Sequence, residues 1–349
     1  MLQNNAIRVA VVGMGNCGSS LTQLIHGALS TSANDRYGGV FWANGRPHSN
    51  EDFRIVAAFD VDREKVGQDL GDAVEASTNC TPVVWRVPHT GVTVQKGPRL
   101  DGIDGPLTES VIEADVPDAD VHQVLADTSA DIVVNMLPTG AREATEFYAD
   151  AALQVGCGFV NCIPIPLATN AGWAARFQEA GVPLFGDDVK SQMGTTTVHQ
   201  TLVDLIQRKG GQITRTYQMN IGGNADFRNM TDAARRAYKN VTKTSAVQSH
   251  VEGLDIPDIG PNGFVEPLGD NKRAHVMIGA ELALGMQVEI NLNLTVTDSP
   301  NAAGVILPAV LECARARRRG DAGVLPEVSD NFFKMPVAPV QKPHPLHAE

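Results

Sequence analysis

Cysteine is scarce in this chain of 349 residues. The five present (Cys17, Cys80, Cys157, Cys162 and Cys313) are odd in number and lie far apart or in apolar runs. No metal-ligand spacing and no disulfide framework can be drawn from them, so reduced thiols and a cytoplasmic location are expected. Basic residues are also in deficit, with 28 Lys and Arg against 40 Asp and Glu, a formal net charge of -12. That balance argues against general binding to nucleic acid or to an anionic membrane. A phosphate-bearing ligand must therefore meet a local basic cluster. No stretch of 18 uncharged apolar residues occurs, so no membrane-spanning helix is expected. The start, Met1-Leu2-Gln3-Asn4-Asn5, lacks the charged and apolar regions of a secretory signal. What remains is ordinary globular composition, 43% hydrophobic and 19% charged, at a length that suggests two domains.

The run Ile7 to Val12 reads as a buried strand, and Gly13-Met14-Gly15-Asn16-Cys17-Gly18 follows at once. Ser19 to Leu29 then reads as a helix. This is G-x-G-x-x-G in the setting that gives it meaning. The first glycine permits the tight turn, the second lets a pyrophosphate approach the backbone, and the third lets helix pack on strand. A second strand, Arg54 to Phe59, ends at Asp60, placed to accept hydrogen bonds from ribose hydroxyls and so to favour NAD over NADP. Asp62 is the reserve candidate. Gly18 and Asp60 are 42 positions apart, where about 20 is usual. Residues 31–53 are therefore expected to be an inserted loop.

Beyond Asp60 the pattern predicts helices over Asp62–Leu70, Asp120–Ser129, Ala141–Gly156 and Asn170–Ala180. Strands are predicted over Val83–Val94, Asp131–Asn135, Gly158–Pro164 and Val182–Phe185. This alternation implies a parallel sheet covered by helices on both faces. The turn Asn135 to Gly140 then lies at the carboxyl edge, where such sheets bind ligands. Lys96 and Arg99 could reach a phosphate but read rather as surface residues, and Cys162 reads as an inert strand cysteine.

The stretch Gly186-Asp187-Asp188-Val189-Lys190-Ser191-Gln192-Met193-Gly194-Thr195 falls at the same edge and opens a helix, as an anion-binding loop does. After it the texture changes. Gln212–Ile221 and Val288–Val296 alternate as half-exposed strands. Gly222 to Met230 is a polar loop. Lys239 and Lys243 are four apart and share one helix face, where like charges repel unless an anion lies between them. Asp298-Ser299-Pro300-Asn301 caps a helix that runs to Arg317 and returns to the first domain.

Taken together, Val12-Gly13-Met14-Gly15-Asn16-Cys17, Ala57-Ala58-Phe59-Asp60, Gly186-Asp187-Asp188-Val189-Lys190-Ser191-Gln192, Gly222-Gly223-Asn224-Ala225-Asp226-Phe227, Lys239-Asn240-Val241-Thr242-Lys243-Thr244, Asp298-Ser299-Pro300-Asn301 and Phe333-Lys334-Met335-Pro336 resemble the inositol-phosphate synthase family, in its short bacterial form. The resemblance implies an α/β chain. Residues 1–190 and 297–340 would form a Rossmann-type, NAD-binding, doubly wound parallel sheet. Residues 191–296 would form an α+β catalytic and oligomerisation domain with a mostly antiparallel sheet, and 341–349 a tail. It implies conversion of glucose 6-phosphate to inositol phosphate by oxidation at the fifth carbon, enolisation, intramolecular aldol closure and re-reduction.

The resemblance also implies roles. Cofactor contacts would come from Gly13, Met14, Gly15, Asn16, Cys17, Asp60, Asn135, Pro138, Thr139, Asp187, Asp298 and Ser299. Lys239 would move the proton of the hydroxyl being oxidised, and Lys334 would stabilise the developing alkoxide. Lys243 and Lys272 would hold the substrate phosphate with Ser191, Gln192, Met193, Gly194 and Thr195. Asp188, Asp226 and Asp270 would orient lysines or relay protons. Asp187 and Lys190 either face the ligand or brace the turn. A homotetramer is implied, and a monovalent or divalent cation is left open. Two other readings share the glycine loop: a sugar-phosphate dehydrogenase that releases NADH, and a non-catalytic NAD-binding regulator. Neither needs four lysines.

Overall fold

Apolar runs that are buried on both sides build the larger sheet. The computed structural model describes residues 6–30, 39–42, 52–251, 253–257 and 259–335. In chain order the first part comprises β1 (Ile7–Val12), α1 (Asn16–Ser30), β2 (Phe53–Asp60), α2 (Leu70–Val74), β3 (Val94–Lys96), α3 (Val121–Asp127), β4 (Ile132–Asn135), α4 (Arg142–Val155), β5 (Gly158–Asn161), α5 (Ala171–Ala180) and β6 (Pro183–Phe185). There follow α6 (Thr195–Arg208), β7 (Gln212–Gly222), α7 (Ala225–Asn229), α8 (Ala233–Gln248), β8 (Gly260–Phe264), β9 (Asn271–Glu281) and β10 (Gln287–Thr297). The chain returns through α9 (Asp298–Arg319), β11 (Gly323–Val324) and α10 (Pro326–Phe332).

Seven strands form one sheet in the order β11-β6-β5-β4-β1-β2-β3, and every pairing in it is parallel. The order reverses at β1 and β4, which makes a crevice at their carboxyl ends. β4 and β5 are buried throughout, as strands covered on both faces must be. One core layer joins α1 and α9 to the sheet, and a second lies on the opposite face under α3, α4 and α5. α9 packs on α1, β4, β5 and β6, so the expected return of this helix to the first sheet is observed. No helix among the described residues is long and apolar enough to cross a membrane.

The second sheet has the order β10-β9-β7-β8. β9 runs antiparallel to β7 and β10, while β7 and β8 are parallel. α6 covers its inner face through Val203 and Ile206 against Val276 and Ile278. His199 of α6 is buried and bonds Thr216 Oγ1 of β7 at 2.6 Å. Burial pushes its imidazole down to about 4, so it joins helix to sheet as a neutral ring.

Several local expectations fail for identifiable reasons. Of Asp62–Leu70 only Leu70 is helical, as the start of α2; turns precede it, because the Asp62 carboxylate accepts the Glu64 N–H and Gly67 sits at φ +82°. Of Val83–Val94 only the last residue is a strand. The rest is irregular and held by Gln23 of α1, whose Oε1 accepts Val84 N and Trp85 N. α1 starts at Asn16, not Ser19, and the polar loop after Gly222 contains α7, capped by Asn224. Most of the 31–53 insertion and the whole 341–349 tail lie outside the described residues.

Candidate active site

Glycine decides the shape of one end of a long cavity at the crevice. Gly13 has φ +90°, and a Cβ there would lie 2.7 Å from the Met136 carbonyl oxygen. A Cβ on Gly18 would lie 2.5 Å from the Gly13 oxygen, so only glycine lets α1 pack this close to β1. Gly15 meets nothing within 4 Å, and it lines the cavity. Its bare backbone is a cradle that a side chain would fill, and the N-terminus of α1 begins one residue later. These features fit a pyrophosphate. Asp60 fits the ribose position: it lines the cavity, and its Oδ2 accepts Met14 N at 2.7 Å. Met14 contributes only this backbone group, since its side chain is fully buried. Asn16 lines the cavity and fixes the neighbouring loop by accepting Cys80 N and Thr81 N. Cys17 lines it too, but burial and nearby Asp298 push its thiol up to about 12, so it stays protonated and unreactive.

Pro138 and Thr139 line the wall after β4. Asn135 does not reach that wall. Its side chain is buried, donates to Thr145 Oγ1 and Asn161 Oδ1, and braces the strand end. Asp187 is likewise turned away. Its carboxylate accepts Asn161 Nδ2, the N–H groups of Leu167, Ala168 and Thr169, and the Thr169 hydroxyl. Lys190 Nζ donates to the Asp330 carbonyl at 2.6 Å. Both residues carry hydrogen bonds that brace the turn.

The other end of the cavity is built from lysines of three separate elements. Lys239 and Lys243 come from α8, Lys272 from β9 and Lys334 from the segment after α10, and all four line it. Asp188, fully buried, ties two of them together. Its Oδ1 accepts Lys334 Nζ at 2.9 Å and Lys239 Nζ at 3.1 Å, and its Oδ2 accepts Thr242 Oγ1 at 2.6 Å. Burial alone would raise the Asp188 pKa, but the two ammonium groups outweigh it and hold the carboxyl well below its ordinary range. Lys239 also sits 3.9 Å from Asp226 Oδ2. Burial opposes its charge, yet Asp188 and Asp226 prevail and keep it an ammonium ion. Lys334 is pushed the other way, because burial exceeds the help it receives from Asp188.

Lys272 pairs with Asp298 at 3.3 Å. Lys243 has no carboxylate or hydrogen-bond partner among the described residues, and it is only 6% exposed. Burial and three neighbouring lysines push its pKa well below the ordinary 10.5. Two ammonium groups 4 Å apart near a protein surface repel by roughly 4 kcal/mol. Four lysines face three aspartates here (Asp188, Asp226 and Asp298), so Lys243 is the one left without a carboxylate, and an anion beside it would restore its charge.

Asp226 lines the cavity, as do Asp298 and Ser299. Asp270 does not. It accepts Asn224 Nδ2, Ser299 N and Ser299 Oγ, and so holds the start of α9 behind the lysines. Of the expected phosphate loop, Ser191 alone reaches the cavity. Gln192 donates to the Gly39 carbonyl and its N–H is taken by Asn301. Met193 is 58% exposed and its N–H is bound by Asn301 Oδ1. Gly194 forms the backbone cap of α6 with no side-chain bond, and Thr195 is buried with an unpartnered hydroxyl.

The structure adds residues that the sequence did not single out. Thr242 lies three after Lys239 on one helix face, a spacing that could have revealed it. Lys65 lines the cavity beyond Asp60 and pairs with buried Asp62 at 3.3 Å, which Thr78 steadies. Arg99, expected at the surface, lines the same end. No cluster of three His, Cys, Asp or Glu suited to a metal ion occurs among the described residues.

The family model described as myo-inositol-1-phosphate synthase matches residues 194–299. An inositol-3-phosphate synthase of Corynebacterium glutamicum is 39% identical over 100% of this chain and 98% of its own. One from Mycolicibacterium smegmatis is 40% identical over 95% of this chain and 93% of its own. The crystal structure of Ari2 superposes with a TM-score of 0.77 at 34% identity, over 95% of this chain and 92% of that one. With relatives this similar along the whole chain, the protein belongs to the myo-inositol-1-phosphate synthase family.

Proposed function

We propose that this protein converts D-glucose 6-phosphate to 1D-myo-inositol 3-phosphate with NAD as a recycled cofactor, the first step of inositol biosynthesis. The observation that carries the reading is the lysine cluster facing a glycine-loop cradle across one cavity, with Lys243 meeting no carboxylate among the described residues. When bound, NAD supplies reversible acceptance of two electrons.

The protein's own groups do the rest. Lys243 and Lys272, with Ser191, take the substrate phosphate, the anion that restores the charge of Lys243. That anchors the sugar with its reacting carbons toward Lys239 and Lys334. Lys239 rests as an ammonium, so it must pass a proton to Asp226 before it can receive one from the hydroxyl being oxidised. Asp226 is the open carboxylate within 3.9 Å for that transfer. Lys334 is the ammonium weakened by burial, and it donates to the aldehyde oxygen as negative charge develops there during ring closure. Asp188 holds both lysines on one oxygen, which fixes their spacing. Asp298 fixes Lys272.

A homotetrameric, cytoplasmic enzyme is part of the same reading, supported by the family and by the five free thiols; light scattering tests the assembly. The reaction is tested by incubating purified protein with glucose 6-phosphate and substoichiometric NAD. Inositol phosphate in excess of the NAD supplied is the expected result. NADH accumulating in step with sugar consumption would make the protein a dehydrogenase instead.

A further inference from the structure

We infer that the segment Asp226–Arg235 is a latch that retains the cofactor through turnover, with Asn229 and Arg235 as its positioning residues. The inference rests on the redox-neutral reading above. Substrate and product of that reaction are isomers, so the two electrons and the proton removed from the sugar must return to it. A cofactor that escaped in its reduced form would carry them away and strand an oxidised sugar. The cavity must therefore stay closed between the two halves of the reaction.

The latch is visible as hydrogen bonds from the lysine half onto two loops of the nucleotide half. Thr139 is their hub. Its carbonyl accepts Asn229 Nδ2 at 2.7 Å and Arg235 Nη1 at 3.3 Å. Its hydroxyl donates to Asp226 Oδ1 at 2.8 Å. The other arm of Arg235 donates to the Asp101 carbonyl at 2.7 Å. The cavity runs beneath this seam, lined by Gly102 and Thr139 on one side and by Ala225 and Phe227 on the other.

Two features mark the seam as built for docking. Arg235 is 9% exposed, and its guanidinium meets no carboxylate among the described residues. A guanidinium is costly to bury without a counter-charge, and here it spends its donors on backbone of the opposite half. Gly140, beside the hub, has φ +92°, and a Cβ there would sit 2.8 Å from Arg235 Cγ. The turn thus leaves room for the arginine to cross it. Nearby Arg228 reaches Glu109 at 3.8 Å, but that carboxylate is 75% exposed and such a contact contributes little. Opening the seam means breaking the buried bonds of Asn229 and Arg235. The same break frees Asp226, the carboxylate beside Lys239.

The test follows bound NADH by its fluorescence as excess NAD displaces it, in the wild type and in Arg235→Gln, Arg235→Lys and Asn229→Ala. Release is expected to speed up at least tenfold in Arg235→Gln, and to be partly restored in Arg235→Lys. During turnover with glucose 6-phosphate the Gln variant should leak free NADH, while the wild type leaks none. A variant that is merely unstable loses product without releasing NADH. If Arg235→Gln does not fold, Asn229→Ala removes one donor to the same carbonyl and should quicken release in the same direction. Release within twofold of wild type in folded variants overturns the latch, as does a wild type that binds no NADH. A wild type that itself accumulates NADH from the sugar overturns the synthase reading, and the displacement rates still decide the latch.

Discussion

The two ends of the cavity are built by opposite means. At the nucleotide end, recognition comes from contiguous backbone: Gly13, Gly15 and Gly18 matter because they lack side chains. At the lysine end, recognition comes entirely from side chains, brought from α8, β9 and the segment after α10 onto Asp188 and Asp298. The first end is a local feature that any strand-turn-helix of the right sequence would form. The second exists only when both sheets are folded and docked. The difference separates binding from chemistry, since a cradle can hold a cofactor without the lysines, whereas the lysines alone hold only an anion.

Substitutions can pull the two ends apart. The largest effect is expected for Lys334→Ala. Loss of the donor to the developing alkoxide should reduce kcat about 10²–10³-fold, with NAD affinity unchanged in a direct titration. A parallel loss of NAD affinity would mean that the ends are not separable. Next comes Gly18→Ala, whose Cβ would collide with the Gly13 oxygen. The Kd for NAD should rise about tenfold or more, an effect on the order of 1.4 kcal/mol, while phosphate binding at the lysine end is unaffected.

A subtler effect concerns Lys243. Its ammonium is disfavoured while no anion is present, and an incoming phosphate dianion restores it. Between the depressed pKa and the ordinary 10.5, binding must then take up protons, up to about one. Phosphate affinity should fall as pH rises through that window. Calorimetry near pH 8 in buffers of different ionisation enthalpy reads the uptake directly, and no uptake would move the anion away from Lys243. The smallest effect is expected for Met193→Ala. Its side chain points to solvent, so KM for glucose 6-phosphate should stay within about twofold. A larger change would return the whole 191–195 stretch to the phosphate site.

The same division explains what the sequence made legible. The glycine loop and Asp60 are readable because the order strand, glycine turn, helix and next strand is enough to place them, even across an insertion. Asp188 and the four lysines were reachable through a resemblance, which preserves long-range proximity that local patterns do not encode. Adjacent residues were harder to sort. Asp187 and Asp188 look alike in sequence, yet Asp187 spends its carboxylate on the Leu167–Thr169 backbone while Asp188 reaches the lysines. Asp270 and Asn135 were hard to sort for the same reason, because a buried polar side chain that braces a loop resembles one that meets a ligand. Asn229 and Arg235 left no signal at all. Their partner is a backbone carbonyl 90 or more positions away, and any residue can supply a carbonyl.

The central claim is that electrons removed from a sugar return to that same sugar within one closed cavity. Glucose 6-phosphate carrying deuterium at the fifth carbon and carbon-13 throughout, mixed with unlabelled substrate and catalytic NAD, tests it most directly by mass spectrometry of the inositol phosphate. The account predicts that deuterium stays with the carbon-13 product and does not cross over. Deuterium scrambled into the carbon-12 product, or lost to free NADH, would contradict it.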